Sequence, residues 1–226
     1  GLHTGRTLRK RFTSTISQQM KLGFVFECSP GGSDIKLFQH ILKLINPAFD
    51  FDKNFHHAAL KSKKELEKDC GKEVKRLKGL GCQKIFVVWD LIPVWKEDGT
   101  PCRHDDKEAI KKSLAAHQLT AHDIIFLCVE KELESWLIAD ERALKDFFIT
   151  KKSMKDEIKK VRTPDTHHDP KGLLTKYFKM YRGVRSFDPM THTTLLLPKF
   201  TNVRNLRNSE SFNRFYFKLT GNQLNR

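Results

Sequence analysis

Several features that would place this 226-residue chain at once are missing. No apolar run approaches the roughly 20 residues needed to span a bilayer, so a membrane-crossing helix is excluded. A charged fraction of 31% beside 38% hydrophobic residues is instead that of a folded, water-exposed protein. The five cysteines (Cys28, Cys70, Cys82, Cys102 and Cys128) include no C-x-x-C pair and are odd in number. Neither a disulfide framework nor a zinc ribbon is indicated, and a reducing, cytoplasmic setting fits. Cys102-x-His104 is the one close pair of soft ligands, and it lacks the two further partners of a tetrahedral zinc site. Also absent is the phosphate-loop spacing G-x-x-x-x-G-K followed by Ser or Thr: SPGGSD at residues 29–34, Gly71-Lys72 and Gly79-Leu80-Gly81 all depart from it. The chain is therefore not expected to be an ATPase itself. There is no repeat of fixed period and no low-complexity tract.

What is present is a strongly uneven charge. The formal net charge is +15. Residues 1–21 hold five Lys or Arg and no acid, residues 22–150 hold 20 bases against 21 acids, and residues 151–226 hold 17 against 6. The first segment has no apolar stretch of the kind a secretory signal needs, so residues 1–20 read as a flexible basic arm or a remnant of added sequence. A near-neutral body followed by a basic third fits a protein whose carboxylates do chemistry while a separate surface holds a polyanion, DNA or RNA. A solvated basic face without a ligand is the plainer alternative.

Apolar patterning divides the body into alternating strands and helices. LGFVF (residues 22–26), IFVVW (85–89) and IIFLCV (124–129) are short β-branched and aromatic runs of the kind found in buried strands. Phe49-Asp50-Phe51-Asp52 alternates and is expected to form an edge strand. Helical spacing appears in Ile35, Phe38, Ile41, Leu42 and Ile45, with Ser33 or Asp34 as cap, and in Leu66, Cys70, Val74 and Leu77 between Lys61 and Lys78. Further helices are expected from Asp105 or Asp106 to about His117, and from Glu132 or Glu134 through Phe148. A loop rich in Gly, Pro and charge spans Lys96 to Asp105. The expectation is an α/β fold, with a mostly parallel central sheet flanked by helices over residues 21–150. A basic helical extension over residues 151–226, with Ser209 capping a last helix, is expected to pack on that core.

Each of the three clear strands ends at a carboxylate: Glu27, Asp90 and Glu130. In an open parallel sheet, ligands bind outside the carboxyl ends of the strands. One acid there is an ordinary way to leave the core; three, followed by Glu132, Glu134 and Asp140, suggest a shared crevice. Packed acids repel unless a cation or proton neutralises them, and oxygen-only ligands suit Mg2+ or Mn2+.

Glu27 followed by a Gly-containing loop and helix, with Asp90 after a later strand, resembles the Toprim superfamily of topoisomerases, primases and nucleases. ECSPGGSD, VVWDL, VEKELESWLIAD and SFNRF further resemble an uncharacterised bacterial family of small Toprim-like proteins found beside an ATPase partner in some defence loci, over roughly residues 22–219. The resemblance implies a Mg2+- or Mn2+-dependent nuclease of DNA or RNA, with Glu27 in proton transfer, Asp90 on the metal, and Glu130 or Glu134 as a further ligand. It departs from the family's Asp-x-Asp pattern at Asp90-Leu91-Ile92, where the second acid is lost. One metal instead of two, or a catalytically weakened module that binds nucleic acid or a partner protein, follow as alternatives.

Among the remaining residues, Lys199, Arg204, Arg207 and Arg214 are candidates for phosphate contacts. Tyr177, Tyr181, Phe187, Phe212 and Tyr216 offer either a stacking surface for single strands or a small core. The pairs His56-His57 and His167-His168 are adjacent in sequence; adjacent side chains on a strand or helix point apart, which disfavours a shared metal.

Overall fold

The structure, a computed structural model, describes residues 16–17, 19–92 and 102–224. Residues 1–15, most of the expected basic arm, and 93–101, most of the expected Lys96–Asp105 loop, lie outside the described residues. Four strands, β1 (Leu22–Phe26), β2 (Phe55–Ala59), β3 (Lys84–Asp90) and β4 (Ile125–Val129), form one sheet in the order β2-β1-β3-β4. All three pairings are parallel. The chain thus moves outward from β1 in one direction to β2 and in the other to β3 and β4. The reversal leaves a crevice between the carboxyl ends of β1 and β3, where open α/β sheets bind ligands.

Alternation along the strands supplies two buried faces. Phe24, Phe26, Phe86, Val88, Leu127 and Val129 belong to one apolar cluster and Val25, Ile85, Val87, Trp89 and Cys128 to another. The second face is covered by α3 (Lys63–Gly79) through Leu66, Cys70, Val74 and Leu77, and by α4 (Arg103–Ala115) through Ile110 and Leu114. These two helices approach so closely that a Cβ on Gly71 would fall 2.2 Å from the Ser113 carbonyl oxygen, so glycine is required there.

The first face is covered by α1 (Ser33–Ile45), α5 (Glu134–Ala139) and, from the basic third, α9 (Glu210–Thr220). Phe215 of α9 packs edge-on against Phe38 and Phe86, with ring centroids 5.0 and 5.4 Å apart. A buried polar knot fastens the same region. The Trp136 indole N–H donates to Ser211 Oγ at 2.7 Å, Ser211 donates to Asp165, and the Glu210 N–H donates to the same carboxylate at 2.7 Å. Between them, α6 (Glu141–Phe148), α7 (Pro170–Arg182) and α8 (Pro189–Leu196) extend this layer. Ser209 caps α9, accepting from the Phe212 N–H.

Two local expectations change. Phe49–Asp52 does not form the edge strand: Asp50 accepts from the Lys53 N–H and nucleates the short helix α2 (Phe51–Asn54), and the strand follows as FHHAA. A single helix from Glu132 or Glu134 to Phe148 is divided at Asp140, whose side chain caps α6 by accepting from the Ala143 N–H at 3.0 Å. At the described end of the expected arm, Ile16 is buried and its carbonyl accepts from Asn46 Nδ2 at 2.8 Å. Among the described residues no helix is long and apolar enough to cross a membrane.

Candidate active site

The crevice between β1 and β3 is where the acids gather. Glu27 follows β1 directly, and its Oε2 accepts from the Asp90 N–H, the last residue of β3, at 3.1 Å. Asp34 comes from the first turn of α1. Glu134 opens α5 and is buried. Asp34 and Glu134 together line a cleft of about 10 Å³, room for one water at most.

These carboxyls feel one another. Burial raises Asp90 well above the ordinary carboxylate range, and the charges of Asp34, Glu27 and Glu134 add to the rise, with Lys171 opposing. Asp90 keeps some solvent-accessible surface, but the protein packed around it outweighs that opening. Burial likewise lifts Glu27 to about 7, against the pull of Lys63 and the Asp90 N–H. Glu134 is raised to about 7 by burial, with Lys171 opposing and Glu132 and Asp34 reinforcing. Asp34 is raised by burial too, moderated by hydrogen bonds from Ser33 and Cys28 and by Lys171. Like charges this close cannot all ionise without a counter-charge. The site holds protons near neutrality, or takes up a cation.

One protein cation already reaches in. Lys171, in the first turn of α7, places Nζ 2.7 Å from Glu132 Oε2 and 3.8 Å from Glu134 Oε1. Its own N–H also donates to Glu132 Oε1 at 3.2 Å. Burial lowers the Lys171 ammonium's pKa, but Glu134, Glu132 and Asp90 outweigh that and leave it raised, so it stays charged. On the other side, the largely buried Lys63 donates to the Leu91 carbonyl at 2.9 Å. Neighbouring Cys28 is pushed up to about 12, by burial first and by Asp34 next, which leaves it a thiol and not a nucleophile.

Of the residues singled out by sequence, Glu27, Asp90 and Glu134 meet in this crevice, whereas Glu130 is drawn away: its Oε1 accepts from Arg103 at 2.7 Å. Asp34 and Lys171 were not anticipated. Asp34 reads in sequence as a helix cap, and its position one tight loop after β1 was the available signal. Lys171 carries none, because only the fold of the basic third brings it there. No family model, no curated protein and no solved structure matches this chain. The crevice is read from its own geometry.

The basic candidates do not form one row. Arg204 and Arg207 line a cavity of about 320 Å³ together with Arg142 and Lys160, a cavity that Lys199 and Arg214 do not line. Arg214 lies against the end of β4, 3.5 Å from the Cys128 carbonyl, and Lys199 ends a 3-10 turn on the surface. Tyr177, Phe187 and Phe212 are buried in the core, and Tyr181 and Tyr216 pack against it, so these aromatics fill space instead of offering a stacking platform. His56 bonds the Lys53 carbonyl, and His57 lies against the Phe55 ring. His167 and His168 stack on each other, and His167 Nδ1 accepts from the Asp169 N–H.

Proposed function

We propose that the chain is a divalent-metal-dependent nuclease of Toprim type, cleaving phosphodiester bonds of DNA or RNA. The observation that carries this reading is the convergence of Glu27, Asp34, Asp90 and Glu134 at the one point where strand order reverses, with Lys171 partly balancing them. The donor set fits Mg2+ or Mn2+ in kind, being oxygen-rich, half-buried to buried and short of positive charge. Among the described residues no three His, Cys, Asp or Glu side chains are grouped to hold a metal. Mg2+ requires fewer: one or two carboxylates commonly hold it, with water and substrate phosphates completing the shell.

Asp90 and Glu134 would hold the ion, which when bound supplies charge to the phosphoryl oxygens and lowers the pKa of water. Glu27 is the proton acceptor. A carboxyl lifted to about 7 can both take a proton from attacking water and return it to a leaving oxygen near neutral pH. The Asp90 N–H holds the accepting carboxylate in place. The basic third supplies the charge that holds the polyanion, and the resemblance to proteins of defence loci extends the reading to antiphage defence beside an ATPase partner.

The test incubates the purified chain, alone and with a candidate ATPase, with plasmid DNA and with tRNA in Mg2+ or Mn2+. Cleavage abolished by Glu27→Gln and by Asp90→Asn is expected; cleavage that survives both substitutions, or none under any condition, removes the reading. A second reading, a module that binds nucleic acid or a partner protein without cutting, is favoured by the loss of the second acid after Asp90 and by Lys171 standing where a cation would sit. It predicts salt-sensitive binding that is indifferent to chelation of divalent ions.

A further inference from the structure

The cavity beside α6 is electrostatically the reverse of the crevice. Arg142 at the start of α6, Lys160 on the segment that follows, and Arg204 and Arg207 around a single 3-10 turn all face a volume of about 320 Å³. All four are exposed, and none forms an ion pair among the described residues. The two acids in the wall are already occupied. Asp140 is buried, taking hydrogen bonds from the Ala143 N–H and from Asn205 Nδ2 at 3.0 and 3.1 Å, and Glu141 pairs with Lys145 at 2.6 Å.

The wall is also braced. Asn205 ties the 3-10 turn to the Asp140 carboxylate, and Asn202 Oδ1 accepts from the Arg204 N–H at 2.9 Å. Four cations without an ion pair, on three segments, converge on one hollow where Asp140 is tied up in hydrogen bonds and Glu141 is ion-paired with Lys145, which makes a place for several negative charges in a small volume. Its size is at the lower end of small-ligand sites, enough for about one nucleotide. Among the described residues no aromatic side chain lines it, so none of them offers a base a stacking partner, as a single-strand groove would. Phosphates, and not bases, are what it is equipped to hold.

We infer that this cavity is a second site, separate from the acidic crevice, that binds a free polyphosphate group, as pyrophosphate or as the phosphate tail of a nucleoside triphosphate, on Arg142, Lys160, Arg204 and Arg207. Arg204 and Arg207 would then serve a small ligand instead of a nucleic-acid strand. Guanidinium groups are suited to this, since each can give two parallel hydrogen bonds to a phosphate.

Isothermal titration of the full chain with ATP, pyrophosphate, inorganic phosphate and a short oligonucleotide lacking terminal phosphates tests the assignment. Saturable one-to-one binding of ATP and pyrophosphate is expected, with inorganic phosphate and the oligonucleotide weaker. Arg204→Gln/Arg207→Gln should weaken ATP at least about tenfold, and Arg142→Gln/Lys160→Gln likewise. Lys176→Gln/Lys179→Gln, which removes the same charge from an exposed part of α7, should leave it unchanged, as should Glu27→Gln. Circular dichroism and the thermal midpoint check that each variant folds. Absence of ATP binding, equal losses in the α7 control, or an oligonucleotide that binds more tightly than ATP and loses that binding in the cavity variants would each overturn it. Because nothing is cleaved in this measurement, its outcome is independent of nuclease activity.

Discussion

At one end of α5, Glu134 belongs to a set of carboxyls that burial and mutual repulsion hold near neutrality; at the other, Asp140 backs a hollow rimmed by four solvated cations. Six residue steps along α5 separate them, about 9 Å at 1.5 Å per residue. The two regions differ in what their charges cost. Exposed arginines and lysines stay hydrated, so grouping them costs little before a ligand arrives. Carboxyls withdrawn from water lose hydration at once and respond by keeping protons, by recruiting Lys171, or by taking up a cation. The basic hollow is therefore tolerant of substitution and the acidic crevice is not.

The sharpest way to break this comparison is at Glu27. Glu27→Gln keeps the hydrogen-bond acceptor for the Asp90 N–H but cannot carry a proton in the reaction, and is expected to lower phosphodiester cleavage by roughly 10²–10⁴-fold while leaving nucleic-acid affinity unchanged. Gel assays of cleavage and filter binding on the same preparations separate the two effects. Lys171→Met comes next. Without its ammonium, Glu132 and Glu134 lose their nearest positive partner, and the fold should lose on the order of 1 kcal/mol above pH 7, a modest figure because Lys171 is half exposed. If the crevice accepts a divalent ion, millimolar Mg2+ or Mn2+ should restore the thermal midpoint of this variant more than that of the parent chain; a midpoint indifferent to both ions would assign the acids to a proton-holding role alone.

The pH dependence distinguishes the regions more gently. Glu27 and Glu134 have ordinary values of 4.5 and are raised to about 7, so the folded state binds their protons more tightly than the unfolded state does. Their contribution is fully present below about 4.5 and is lost as pH rises through about 7. The stability difference between the parent and Glu27→Gln, measured by urea titration, should accordingly shift in favour of the glutamine variant between these limits and then level off. The smallest effect is predicted for Lys199→Gln: a loss of less than about 1 kcal/mol in polyanion binding, with the salt slope falling by about one if that lysine touches a phosphate.

How much of this was legible in the sequence depended on where the information lay. β1 and β3 are buried on both faces and the edge strand β4 over most of its length, so their apolar runs announced them, and the acids at their ends were readable with them. β2 is an edge strand spelled Phe-His-His-Ala-Ala, with neither alternation nor β-branched residues, and the alternating Phe49–Asp52 just before it was the stronger but misleading pattern. The break at Asp140 was hidden because apolar residues continue on both sides and the cap acts only once α6 turns away. In the crevice, Glu27 and Asp90 were recognisable from strand ends. Asp34 served two readings, and Lys171 required knowing that the start of α7 returns to the sheet. The basic cavity was half visible in Arg204 and Arg207; Arg142 and Lys160 join it only through the packing of α6 against the following segment.

The knot of Trp136, Ser211 and Asp165 bears on any attempt to dissect the molecule. A fragment ending near residue 150, drawn at the change in composition, would strip α9 from the sheet. That would leave the indole N–H of Trp136 without its acceptor and the rings of Phe38 and Phe86 without Phe215 above them. Such a fragment would expose an aromatic surface prone to self-association, and a protease nicking the intact chain between α6 and α7 should release nothing, the two pieces staying clasped. The charge changes near residue 150, while the packed core runs straight across that boundary.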